Sequence, residues 1–135
     1  MNFPGIKTGM TITVRHDVTE NDTWGNHLQS DIDKLMSTPA FVSLMIEASM
    51  RMVDPQLPDG FISVGKSSEI IHEHPTVVGS TVHLTVTITD FDGYHITIGM
   101  EASDESGVCG RGTHVRSIVN KRWLHLKMAR RTAGV

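Results

Sequence analysis

TPAFVSLMIEASMRMVDP, residues 38–55, is the stretch that decides the architecture. Thr38 is a good N-cap and Pro39 suits the first helical position, so a helix starts here. Nothing breaks it until Pro55, which puts its end near Val53. Phe41, Val42, Leu44, Met45, Ile46, Ala48, Met50, Met52 and Val53 cover nearly its whole circumference. A helix apolar on every side is expected to be buried on every side.

What surrounds it reads as strands. Upstream, GMTITVRHDVT (residues 9–19) alternates, with Ile12, Val14, His16 and Val18 on one face. Residues 20–37 are polar and read as a loop with one short helical turn. Downstream come four candidates: Phe61–His74, Thr81–Phe91, Tyr94–Ala102 and Val108–Asn120. Asp92-Gly93 and Ser106-Gly107 mark tight turns between them. Short turns force antiparallel neighbours. The threonine rows (Thr85, Thr87, Thr89) predict one polar sheet face, leaving the other to bury the helix. The pattern is α+β: a curled antiparallel sheet wrapped around one long central helix. The tail KRWLHLKMARRTAGV reads as a short helix or a frayed end.

The chain's 135 residues fit a single domain, 1–135, and can bury a core without disulfides or a structural metal. A formal charge of −3 argues against a general nucleic-acid binder. One cysteine, Cys109, excludes a disulfide framework and a CxxC motif. The N-terminus lacks the character of a signal peptide, and no apolar stretch is long enough to span a bilayer. A reducing cytoplasm is the expected compartment, with no membrane partner.

Several residues can carry chemistry, and each has a plainer reading. Thr38 is a cap, or a hydroxyl at a helix N-terminus whose free N–H groups suit a developing oxyanion. His72 sits in phase with Ile62, Val64 and Ile70. It is a buried histidine satisfied by a carbonyl, or a general base facing the helix start. With His74 it suggests a metal pair, but no third ligand stands at a useful spacing, so no metal is expected. Glu47 is the one carboxylate on an apolar helix. It pairs with Arg51 at i+4, or it polarises water. Gly65, Gly110 and Gly112 mark bulges or close approach of a ligand to the backbone. Arg116 is a solvated edge charge, or a contact for a carboxylate or phosphate. Asp22 and His27 have the spacing used by hotdog hydratases, but Asn26 is misplaced for that pattern and the expected proline is missing. They are read as loop residues.

Taken together, STPAFVSLMIEA (37–48), Ser63-Val-Gly65, His72, GSTV (79–82) and GTHVR (112–116) resemble the thioesterase family typified by fluoroacetyl-CoA thioesterase. The similarity runs from about residue 9 to residue 120. It implies a hotdog fold, a homodimer with the active site at the subunit interface, and a small-molecule acyl-CoA substrate. It implies a catalytic threonine at Thr38, a catalytic histidine at His72, and substrate contacts at Gly65 and Arg116. One departure stands out. Counted from Thr38 without a gap, the family's catalytic glutamate falls on Ile46. Glu47 lies one residue later, turned about 100° around the helix. Either the helix start is locally shifted, or Glu47 has another role.

The expected function is hydrolysis of a small or medium acyl-CoA, with Thr38, His72 and Glu47 catalytic and no cofactor beyond the CoA of the substrate. The dimer is the minimal assembly. The basic tail (Lys121, Arg122, Lys127, Arg130, Arg131) reads as solvated, with CoA phosphates as the other reading. The alternatives are a non-catalytic acyl-CoA-binding hotdog protein and a hotdog enoyl-CoA hydratase or dehydratase.

Overall fold

A computed structural model describes residues 2–24 and 31–133. Five strands form one antiparallel sheet: β1 (Thr11–Asp17), β2 (Phe61–His72), β3 (Thr81–Phe91), β4 (His95–Asp104) and β5 (Gly107–Asn120). Helix α1 (Thr38–Val53) separates β1 from β2, and helix α2 (Lys121–Ala133) follows β5. The expected α+β arrangement is present, and so is the buried face that the alternation predicts. Val82, Leu84, Val86, Ile88, Ile96, Ile98 and Ala102 turn inward onto Phe41, Leu44, Met45, Ala48 and Met52 of α1. On the outer face Thr11 meets Thr87 and Thr13 meets Thr85, hydroxyl to hydroxyl at 2.9 Å.

Strand order is β1-β3-β4-β5-β2. The expectation that short turns join all four later strands as neighbours fails at one place. Residues 73–80 carry the chain from β2, at one edge, across the sheet to β3. β2 therefore pairs with β5 instead. The β3–β4 turn behaves as read: Asp92 accepts from the N–H groups of Tyr94 and His95, and Gly93 takes a φ of +107°. Those bonds hold the Asp92 carboxyl down at about 2.

Helix α1 is not buried all round. Ser43, Glu47, Met50 and Arg51 are exposed, and Val42 and Ile46 are half-buried. The reason is geometric: the sheet covers one side of the helix, and the opposite stripe faces away from the chain's own core. Among the described residues of the polar 20–37 segment are two short 3-10 turns, Glu20–Asp22 and Asp31–Lys34. The tail is the longer of the two expected forms, a helix of 13 residues with none buried. Asn120 starts it by accepting from the N–H groups of Arg122 and Trp123.

Candidate active site

The helix cap falls one residue earlier than the sequence suggests. Ser37 is the N-cap, and its Oγ accepts from Ala40 N–H at 3.2 Å. Thr38 is therefore the first helical residue, and its hydroxyl is released from capping. It lies 3.1 Å from His72 Nδ1 instead. Two backbone ties hold the helix start there. Ser37 N–H donates to Asp22 O at 2.7 Å, and Met36 N–H donates to Thr76 O at 2.8 Å, just past the end of β2.

The first turn also limits what the helix end can offer an anion. Pro39 has no N–H, Ala40 N–H is taken by Ser37 Oγ, and Phe41 N–H is taken by Ser37 O. Among the described residues only the Thr38 N–H of this turn is left without an acceptor. The row of free donors expected at the helix start is thus a single donor.

His72 reaches Thr38 because β2 is bulged. The register slips between Gly65 and Ser67, with Lys66 as the extra residue. A bulge exchanges the two faces of a strand. His72 is consequently in phase with Ser63 and Gly65, not with Ile62 and Val64 as the unbroken alternation implies. The bulge reading of Gly65 is right. Gly110 and Gly112 have a different purpose, which is packing. Gly110 stands opposite His72, where a Cβ would overlap the Phe41 ring, and a Cβ on Gly112 would lie 2.6 Å from Glu69 O. The Phe41 ring in turn meets His72 edge-on, with centroids 4.6 Å apart. Burial lowers the His72 pKa from 6.5, which favours the neutral ring. A neutral ring carrying its proton on Nε2 leaves Nδ1 to accept from the Thr38 hydroxyl. No carbonyl is needed to satisfy it.

Around the pair lies an open cleft of about 300 Å³, walled by Trp24, Ile32, Leu35, Met36 and Pro75. Trp24 and Ile32 are 81% and 77% exposed, so large apolar side chains stand free at its rim. Trp24, Ile32, Leu35 and Met36 all come from the 20–37 segment, the stretch expected to shape an acyl pocket, although no pattern marks them individually.

The other site residues are elsewhere. Arg116 is no edge charge: β5 lies between β4 and β2, and Arg116 is buried there opposite Gly65. From His72–Gly110 to Gly65–Arg116 is six residues of β5, or about 20 Å along the strand. Glu47 lies on the exposed side of α1, with Arg51 Nη2 3.5 Å from its Oε1. The helix runs unbroken from Thr38, so no local shift brings Glu47 round to the position that Ile46 occupies. One chain therefore brings Thr38 and His72 together, brings Gly65 and Arg116 together, and keeps Glu47 apart from both.

Of the pair with hydratase spacing, Asp22 lies among the described residues. The Asp22 carboxylate accepts from Thr19 N–H at 2.8 Å and meets His16 Nε2 at 2.9 Å. His27 lies outside the described residues. His74 N–H donates to Cys109 O, and among the described residues no group of three His, Cys, Asp or Glu is placed to hold a metal. Among them, too, no helix is long and apolar enough to cross a membrane.

A helix clasped by a curled five-stranded antiparallel sheet is the hotdog arrangement, and the chain is a thioester hydrolase of that fold. The chain belongs to the fluoroacetyl-CoA-specific thioesterase family, whose model matches residues 18–122. It is similar to the fluoroacetyl-CoA thioesterase of Streptantibioticus cattleyicolor, at 27% identity over 120 residues, or 89% of this chain and 83% of the relative. Among solved structures it resembles a hot-dog-like protein from Thermanaerovibrio acidaminovorans, with a TM-score of 0.88 and 30% identity over 97% of both chains. A thioesterase superfamily member from Thermus thermophilus shares the fold at a TM-score of 0.84. Its identity is 21%, over 95% of this chain and 94% of that one.

Proposed function

We propose that this chain hydrolyses small or medium acyl-CoA thioesters, using Thr38 and His72 as the reacting pair. The observation that carries the reading is the 3.1 Å contact between Thr38 Oγ1 and His72 Nδ1 at the mouth of an apolar cleft. His72 takes the hydroxyl proton as Oγ1 attacks the thioester carbonyl carbon. The C–S bond then breaks, and the CoA thiolate leaves with the proton returned by His72. Water, activated by the same ring, cleaves the acyl-threonine ester to the free acid. No cofactor enters beyond the CoA of the substrate. The apolar walls of the cleft suit an uncharged hydrocarbon acyl group. Free buried Cys109 suits a reducing compartment, the cytoplasm.

The working unit in this reading is a homodimer. Two features support it: the uncovered stripe of α1 with Val42, Ile46 and Met50, and the separation of about 20 Å between the two site halves. Thr38 and His72 from one copy would meet Gly65 and Arg116 from the other. Co-expression of His72→Ala and Arg116→Ala chains then restores about a quarter of wild-type kcat/KM at low substrate, because one site in each mixed dimer is intact. No restoration would return the whole site to one chain. Glu47 assists only across such an interface, and Glu47→Gln lowers kcat by about two- to fivefold. A loss of about 100-fold, the size of general acid–base catalysis, would make Glu47 a reaction partner.

The deciding experiment is free-thiol release from a panel of acyl-CoAs, with His72→Ala as control. Release that depends on His72 supports the hydrolase and names its acyl class. One observation favours a second reading, an acyl-CoA-binding protein without turnover: Glu47 stands apart from Thr38 and His72, beside Arg51 on the exposed side of α1. Tight binding of CoA esters with no thiol release would select it.

A further inference from the structure

The inner face of β2 and β5 carries a run of buried polar side chains that the reaction above does not use. Arg116 is 3% exposed, and one side of its guanidinium closes on Ser63. Nε–H donates to Ser63 Oγ at 2.7 Å, and Nη2–H donates to Ser63 O at 2.8 Å. Ser63 Oγ donates onward to Asp54 Oδ1 at 2.5 Å. The carboxylate is thus reached through a hydroxyl rather than directly.

The third partner is His114, 1% exposed, whose Nε2 lies 3.0 Å from Arg116 Nη1. A guanidinium has five N–H donors and no acceptor, so Nε2 must accept. The ring proton is therefore on Nδ1, which faces Ser67 O at 2.9 Å and Ser68 Oγ at 2.7 Å. Both ring nitrogens are committed, and His114 is neutral in one tautomer. Three of the five guanidinium donors are used, leaving two. Above them is Gly65, itself exposed, where a Cβ would stand 3.4 Å from His114 Cε1 and 3.7 Å from Arg116 Nη1. The missing side chain is a window onto the pair.

We propose that His114 is a positioning residue: as a neutral acceptor it holds the Arg116 guanidinium beneath the Gly65 window, with the two spare donors free for a carbonyl oxygen of the acyl-pantetheine arm. This rests on Arg116 contacting substrate. An acid at position 114 would quench the charge, and an aliphatic residue would leave a buried N–H unmatched and the guanidinium free to swing.

The test compares two amides at position 114, using a non-hydrolysable acyl-CoA thioether followed by calorimetry, together with steady-state thiol release. In His114→Gln the side-chain oxygen takes the place of Nε2. In His114→Asn the amide keeps the Nδ1 contact to Ser67 but falls short of Arg116. His114→Asn weakens thioether binding and raises KM by about ten- to 100-fold, the range of a charge-assisted hydrogen bond, with kcat within about threefold. His114→Gln stays within about threefold of wild type in both. In an Arg116→Ala background His114→Asn costs nothing further. Equal loss in Asn and Gln, a fall in kcat instead of affinity, or additivity with Arg116→Ala would overturn the proposal. Should His114→Asn fail to fold, Ser68→Ala stands in, with a loss of binding of about two- to threefold expected and an unchanged affinity counting against. Wild-type protein that binds the thioether but releases no thiol sinks the hydrolase reading, and the Asn–Gln binding comparison still decides His114. An Arg116→Ala variant that binds as tightly as wild type removes the substrate contact and this inference with it.

Discussion

The two ends of β2 hold their polar groups in opposite ways. At the His72 end a histidine and a threonine share one hydrogen bond at the edge of an open cleft. At the Gly65 end Arg116 and His114 are buried and tied by short bonds to Ser63, Ser67 and Ser68. The first arrangement leaves a hydroxyl free to give up its proton. The second leaves little free to move. A group that reacts must change partners during the reaction, and a group that positions must not, so the degree of hydrogen-bond saturation separates the two roles.

The largest effect that sharpens this contrast comes from His72→Ala. It lowers kcat by about 10² to 10⁴-fold in thiol release while leaving the thermal melt close to wild type. A variant that keeps its rate removes the base, and one that loses its fold removes the contrast. Arg116→Ala gives the opposite signature. It raises KM by about ten- to 100-fold and also destabilises the fold by about 1–3 kcal/mol, because buried Nε2 of His114 is left without a donor. Denaturant titration beside the kinetics checks both, and an Arg116→Ala protein of unchanged stability would show that the network bears no weight.

The glycines divide along the same line. Gly65→Ala places its Cβ at ordinary contact distances, so stability holds within about 1 kcal/mol while KM rises several-fold as the window closes. Gly110→Ala drives a Cβ into the Phe41 ring and destabilises by about 1–3 kcal/mol. Reversed outcomes would exchange the functional and packing roles of the two. The smallest effect is the pH dependence of stability. Burial holds both His72 and His114 below the usual 6.5. As pH falls below 6.5 the unfolded chain takes up protons that the folded chain refuses, so the folded state loses stability. The melting temperature drops from pH 7 toward pH 5, and less so in His72→Gln. Parallel curves for the two proteins would mean that His72 titrates alike in both states.

The sequence by itself determined what local chemistry can determine. The span of α1, the span of β3 and the turns at Asp92-Gly93 and Ser106-Gly107 follow from side-chain period, proline and glycine. The motifs around Thr38 and His72 carry the family resemblance. Only the tertiary structure decided that Ser37 caps the helix, because Ser37 and Thr38 are adjacent and both able, and the choice turns on which side chain points back at Ala40. It also decided the phase of His72. A single extra residue in β2 inverts every later side chain, and no periodicity reveals which residue is extra. It alone showed that GTHVR and Ser63 form one buried network, because bonds between residues 53 positions apart in the chain leave no trace in the spacing of either. It alone bared one face of α1 and set Glu47 on it. Apolar composition tells how much of a helix wants to be covered, but which side the sheet covers depends on where a crossing chain lays its strands.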